Sequence, residues 1–281
     1  MHTYLAIIGG GTMAQAIVHG AAHILENRVV VADPSPERRA LFPHAVDTAD
    51  QAIRWLTERE TPHAPGQILL AVKPQMLPAV ALDMRPALDD GSWGERIVIS
   101  ILAGTRAVRV AAAFDGAARV IRVMPNTPAQ IGRGMSALCI SRSATQADAA
   151  LARDIFTAVG RVIELDEDHF DAFTAVAGSG PAYVFLLAQA LLRGALEAGL
   201  TEHHALLAVR ETIAGAGLLL ASSDDAPADL RARVTSRGGT TAAALDVLEQ
   251  AGVADALVRA VLAARDRGQA LDRASSGTTL A

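Results

Sequence analysis

The chain has 281 residues, 51% of them hydrophobic, 20% charged and 4% aromatic, with a formal net charge of −5. That length and apolar content suit a large core and two domains, and the acidic balance argues against a nucleic-acid partner. The single cysteine, Cys139, excludes an intrachain disulfide and fits a reducing compartment; in the apolar stretch 137–140 it reads as a core residue rather than a nucleophile.

Leu5 to Ile8 is a short apolar run that breaks at Gly9-Gly10-Gly11, and a helical pattern continues over 12–25. Gly9 and Gly11 hold the first two positions of a G-x-G-x-x-G/A pattern, and Ala14 holds the third. Gly9 permits a sharp turn, Gly11 lets a pyrophosphate approach the backbone, and small Ala14 lets helix and strand close up. Free N–H groups at the helix start then face the phosphates. The pattern predicts a dinucleotide site; a purely structural glycine turn is the alternative. The first apolar run is too short for a signal peptide and lacks a basic flank. The apolar helix near 183–192 carries Gln189 and is followed by Arg193, so no membrane span is expected. These features predict a cytoplasmic protein.

Residues 28–33 read as a second buried strand. It ends in Asp33, where an acid accepts hydrogen bonds from an adenine ribose. Ser35, Arg38 and Arg39 could instead receive a 2′-phosphate, or the two arginines form a solvated helix face. A helix is expected over 48–60, with Ala52, Ile53 and Leu56 inward, and a buried strand over 67–72. Lys73, the one lysine beside 24 arginines, stands at that strand's end. It contacts a ligand there, or it snorkels on the surface. A strand over 96–102 leads into Ala103-Gly104 and a helix over 105–114; a strand over 119–124 leads into Pro125-Asn126-Thr127-Pro128. That last segment is a rigid loop at a strand end or an ordinary Asx turn. Strands over 136–141 and 161–165, around a helix over 145–159, complete an α/β, Rossmann-type, doubly wound and mostly parallel sheet.

Beyond Asp166 only helices are expected, so the predicted division is a dinucleotide-binding domain, 1–165, and a helical domain, 166–281. Ser179 is the predicted N-cap of a helix with Pro181 in its first turn. That helix and the next, with Ile213 to Leu220, are apolar on most faces and need several partners, which predicts an oligomer interface. Ser236, Gly238, Gly239, Thr240 and Thr241 run into another helix. Backbone N–H groups, the helix dipole and hydroxyls converge there as an anion site; capping by a threonine alone is the alternative. The tail, 273–281, reads as frayed. No metal site is expected.

Five motifs occur in the order found in pyrroline-5-carboxylate reductases: Gly9-Gly10-Gly11-Thr12-Met13, Ala71-Val72-Lys73-Pro74-Gln75, Val123-Met124-Pro125-Asn126-Thr127-Pro128, Gly178-Ser179-Gly180-Pro181-Ala182-Tyr183, and 235–249. The chain resembles that family over nearly its whole length. The resemblance implies reduction of 1-pyrroline-5-carboxylate to L-proline, the last step of proline synthesis, with NADPH as cofactor and NADH possible. It implies a helical domain that interlocks with a second subunit, as a homodimer or a ring of dimers. Candidate cofactor residues are then Gly9, Gly11, Thr12, Met13, Asp33, Ser35 and Arg38, with Ala71, Val72, Lys73, Pro74, Ala103 and Gly104 on the nicotinamide side. By the same resemblance Ser236 and Gly238 to Thr241 hold the substrate carboxylate and ring nitrogen, and Thr241 supplies the catalytic hydroxyl. Arg237 departs from the family, which usually has proline there.

An imine nitrogen can enter already protonated, so positioning rather than a strong acid carries such a reaction. The helical domain has no lysine. That argues against β-hydroxyacid dehydrogenases, which resemble this architecture but use a lysine there. Two other readings remain: an oxidoreductase acting on another cyclic imine or oxo-acid, and a non-catalytic dinucleotide-binding protein. A regulatory binder needs no second anion site.

Overall fold

Apolar residues on successive strands alternate between the two faces of one eight-stranded sheet, and each face is covered by helices. The structure is a computed structural model, described over residues 3–61, 63–87 and 96–276. In chain order the sheet domain runs β1 (Leu5–Ile8), α1 (Thr12–Gly20), α2 (Ala22–Leu25), β2 (Val29–Ala32), α3 (Pro36–Arg39), β3 (Ala45–Val46), α4 (Ala49–Thr57), β4 (Gln67–Leu70) and α5 (Leu77–Met84). It continues through β5 (Ile97–Ser100), α6 (Ala107–Ala113), β6 (Arg119–Met124), β7 (Gly134–Ile140), α7 (Ala150–Ala158) and β8 (Gly160–Glu164). The spatial order is β3-β2-β1-β4-β5-β6-β7-β8, parallel except for the β6–β7 pair. Residues 125–133 explain the exception. A parallel return needs a crossover of about a dozen residues or more, and this link is shorter.

The strand period of two divides the core. Leu5, Ile7, Val29, Val31, Leu69 and Ile99 face α1 and α7. Their neighbours Ala6, Ile8, Val30, Ala32, Ile68 and Val98 face α4, α5 and α6. The expected helix over 12–25 is broken at Ala21, where Gly20 is pressed onto the Val159 side chain. Two elements lie outside the sequence expectations. β3 has only two residues, too few for a period. α5 was legible in the spacing of its buried residues Leu77, Ala81 and Met84.

Two compact units result: the chain up to Ser179 with the stretch from Ala264 onward, and Gly180–Ala263. The switch from strands to helices stands at Asp166, while the compact units divide after Ser179. Phe170 is the reason, because it is buried against Ala137 and Cys139 of β7 and holds 166–179 to the sheet. α8 (Phe170–Phe173) passes through a π turn (Thr174–Gly178) into α9 (Gly180–Glu197). Ser179 is therefore not an N-cap. Its backbone is helical and its N–H donates to Thr174 O at 2.9 Å. The second unit continues with α10 (Glu202–Ser222), α11 (Pro227–Arg233), α12 (Thr240–Gln250) and the start of α13 (Val253–Ser276). α13 is helical through Ser276, past the expected fraying point at Arg273; residues 277–281 lie outside the described residues.

On α9, Phe185 and Leu186 are 68% and 65% exposed, and Leu218 to Leu220 of α10 are exposed as well. The helical segments Glu167–Glu197 and Glu202–Ser222 are long and apolar enough to cross a membrane by length and composition. The expectation of no span counted only the ten residues around Tyr183 to Leu192. The apolar run is continuous with the helix before it, because no N-cap interrupts it.

Arg122 on β6 is buried, stacks on the Phe170 ring at 4.5 Å and pairs with Glu167 at 3.1 Å. The same Glu167 oxygen accepts the Ala107 N–H at the start of α6, at 2.6 Å. Glu167→Ala should therefore cost about 3 kcal/mol, the penalty of a buried charge losing its partner. The check is a lower denaturant midpoint at unchanged slope. An unchanged midpoint would mean that Arg122 is compensated elsewhere.

Candidate active site

The strand order reverses between β1 and β4, the place where open α/β sheets bind ligands beyond their strand ends. A cleft of about 710 Å³ lies there, within the first unit. Gly9, Gly11 and Thr12 line it from the first turn, and Asp33 and Arg38 from the end of β2. Ala71, Val72 and exposed Lys73 line it from the end of β4. Gln15 and Met76 are further lining residues that the motif did not single out. Met13 instead packs against the core, and Ala103 and Gly104 stand at the end of β5. No cluster suited to a metal ion occurs among the described residues.

The turn is built to admit a phosphate. Gly9 has φ +105°, and a Cβ there would lie 2.7 Å from the Ala71 carbonyl oxygen. A Cβ on Gly11 would meet nothing within 4 Å, so the surface above it is open. Gly11 caps α1 without any side-chain hydrogen bond. The first N–H groups of α1 are thus left for an anion. These features fit the pyrophosphate of a dinucleotide.

Asp33 is where the structure departs from the simplest reading. It is only 3% exposed. Its Oδ2 accepts the Gly10 N–H at 2.8 Å, and its Oδ1 accepts the Ser35 N–H at 2.9 Å. Arg38 adds a bond at 3.3 Å. Burial pushes the Asp33 carboxyl up, but the Ser35 and Gly10 N–H groups and the Arg38 guanidinium outweigh it and hold it below the usual carboxylate value. Asp33 thus ties the glycine turn to β2. Ser35 is also engaged, accepting the Arg38 N–H as N-cap of α3 and bonding Glu37. Arg39 turns back onto the carbonyls of Asp33 and Pro34 and pairs with Asp47. Arg38 remains 58% exposed at the cleft. Among the residues at this strand end, it is the cation available to a phosphate.

In the second unit, Gly239 caps α12 with no side-chain acceptor. The first N–H groups of that helix are therefore open to an anion. Both glycines have a cause. Gly238 sits at φ +70°, and the Ser236 hydroxyl lies against the place where a Cβ of Gly239 would stand. Thr240 is exposed and Thr241 half-buried at the helix start.

Residues 167–271 match the family model described as pyrroline-5-carboxylate reductase dimerisation, and 4–104 match that of NADP oxidoreductase coenzyme F420-dependent. Along its length the chain is 38% identical to the pyrroline-5-carboxylate reductase of Synechocystis, covering 97% of this chain and 100% of the relative. It belongs to the pyrroline-5-carboxylate reductase family. The Pisum sativum reductase is 35% identical, with 95% of each chain covered. The solved Coxiella burnetii reductase superposes with a TM-score of 0.83 at 30% identity, covering 96% of this chain and 99% of that one. The Plasmodium falciparum reductase, solved with NADP bound, gives 0.82 at 27% identity over 96% and 98%.

Reductase variants at this strand end separate support from recognition. Asp33→Asn and Arg39→Ala should weaken NADH and NADPH alike, since both loosen the turn. Arg38→Ala should weaken NADPH by about tenfold or more, the worth of one charged hydrogen bond, and leave NADH within about twofold. The measurement is cofactor affinity by fluorescence titration. A selective loss of NADH in Asp33→Asn would assign the ribose hydroxyl to Asp33.

Proposed function

We propose that the chain catalyses NAD(P)H-dependent reduction of 1-pyrroline-5-carboxylate to L-proline, with NADPH preferred. The observation that carries the substrate side is the uncapped start of α12 behind Gly238 and Gly239. The family membership supplies the reaction, and the relative solved with NADP bound supports the cofactor.

When bound, the dihydronicotinamide supplies the hydride that reduces the imine carbon. The chain's own task is placement. The N–H groups at the start of α12 hold the substrate carboxylate, with Ser236 beside them. Thr241 offers its hydroxyl to the ring nitrogen. No strong acid is needed, because the imine arrives protonated. Gly9, Gly11 and Thr12 hold the pyrophosphate, Arg38 reads the 2′-phosphate, and Ala71 to Pro74 with Ala103 and Gly104 flank the nicotinamide. Arg237 adds an exposed cation to the loop that carries the carboxylate site.

The enzyme is a homo-oligomer. The dimerisation match spans the helices whose apolar residues lie exposed in the single chain, and a second copy covers them. That partner accounts for the two helices without a membrane. The free thiol of Cys139, pushed up by burial, suits a reducing cytoplasm. Light scattering should return at least twice the chain mass of 29.2 kDa. A stable, active monomer would contradict this assembly.

The direct test is NAD(P)H oxidation with pyrroline-5-carboxylate. Thr241→Ala should lower kcat/KM about 10- to 150-fold, the worth of one hydrogen bond to a charged partner, with cofactor affinity little changed. Thr241→Ser should retain most of the activity, and Thr240→Ala serves as control. Parallel losses of melting temperature and activity in both Thr241 variants would make the residue a helix cap.

A further inference from the structure

We propose that Asn126 is a positioning residue for the reduction, acting by holding the π turn Thr174–Gly178 against the end of β6. The proposal rests on the reductase reading above. Asn126 follows β6 in extended backbone, at φ −131° and ψ 167°. Its Nδ2 donates to the Ala177 carbonyl at 2.9 Å, and its Oδ1 accepts the Met135 N–H at 2.8 Å. Each end of the carboxamide meets a backbone group of the opposite kind, so the amide has one satisfied orientation.

The Ala177 carbonyl needs this partner for a reason written in the chain. Four residues on stands Pro181, which has no N–H to donate back. The helix meets that defect by widening. Ser179 N–H bonds Thr174 O five residues back, and one extra residue enters the turn. Such π turns recur at functional sites. A Cβ on Gly178 would lie 3.2 Å from the Met124 methyl, so the turn sits directly on the last residue of β6. Asn126 thus substitutes a side-chain donor from the sheet for the backbone donor that Pro181 removed.

The location gives the link its consequence. β6 neighbours β5, whose end carries Ala103 and Gly104, assigned above to the nicotinamide. The cleft that takes the rest of the cofactor opens instead at β1, β2 and β4. Loosening the turn should therefore disturb the reacting end of the cofactor and spare its anchorage. Small misplacement suffices, since about 1 Å at a reacting centre can cost up to about a hundredfold.

The experiment compares Asn126→Ala, Asn126→Asp, Pro181→Ala and the Asn126→Ala/Pro181→Ala double variant in the full-length protein. Aspartate keeps the acceptor for Met135 and loses the donor to Ala177. Alanine at 181 returns a backbone N–H to the Ala177 carbonyl. Both Asn126 variants should lose about tenfold or more in kcat, with NADPH affinity within about twofold. Adding Pro181→Ala should recover most of the loss from Asn126→Ala. Hydrogen exchange over 174–183 should quicken in Asn126→Ala and slow again in the double variant, whatever the substrate. An unchanged kcat, a loss that Pro181→Ala does not relieve, or equal losses of kcat and NADPH affinity would each overturn the positioning role. A wild-type protein inert toward pyrroline-5-carboxylate overturns the reductase reading and the positioning role with it. The exchange data then still decide separately whether Asn126 holds the turn.

Discussion

The cofactor end of the molecule depends on one close approach, the Gly9 backbone against the carbonyl of Ala71. The parallel pairing of β1 with β4 brings the two strand ends side by side, and any Cβ at Gly9 would enter the Ala71 carbonyl. Sheet order, turn and cleft are therefore a single arrangement. Asp33 extends it sideways, gripping the Gly10 N–H from the end of β2. A buried carboxylate is costly unless it is hydrogen-bonded, and here two backbone donors and a guanidinium meet that need. The acid at this strand end thus shapes the turn, and Arg38 stands exposed beside it at the cleft.

The helical unit obeys a different constraint. α9 has no buried residue, and α10 buries only Ala205 and Val209. Helices this apolar do not rest in water as single chains. The start of α12 is likewise incomplete, with open N–H groups and no cap. A sheet domain whose core is complete within one chain is thus joined to a helical unit whose apolar surface calls for a second copy.

Between these two regimes lies the segment 166–179, and its chemistry is mostly polar. Glu167 serves Arg122 and the first turn of α6 at once, while Asn126 serves Ala177 and Met135. Each side chain satisfies two groups that the backbone could not satisfy by itself.

The sequence by itself determined what depends on near neighbours. The glycine turn, the buried strands, the switch to helices after Asp166 and the helix start behind Gly238 and Gly239 all follow from spacings within a few residues. Motif order also carried the family, because five short signatures in register leave little room for coincidence. Tertiary structure decided what depends on residues far apart in the chain. The direction of β7 was set by the shortness of the link before it. Ser179 is no cap because the helix before it runs on through a π turn into α9, and that turn is tied to the sheet by the carboxamide of Asn126. Asp33, Arg38 and Arg39 look alike in the sequence as candidate ligand groups. Only the fold shows how they differ: Asp33 is buried on two backbone N–H groups, Arg39 turns back onto two backbone carbonyls, and Arg38 stays exposed at the cleft.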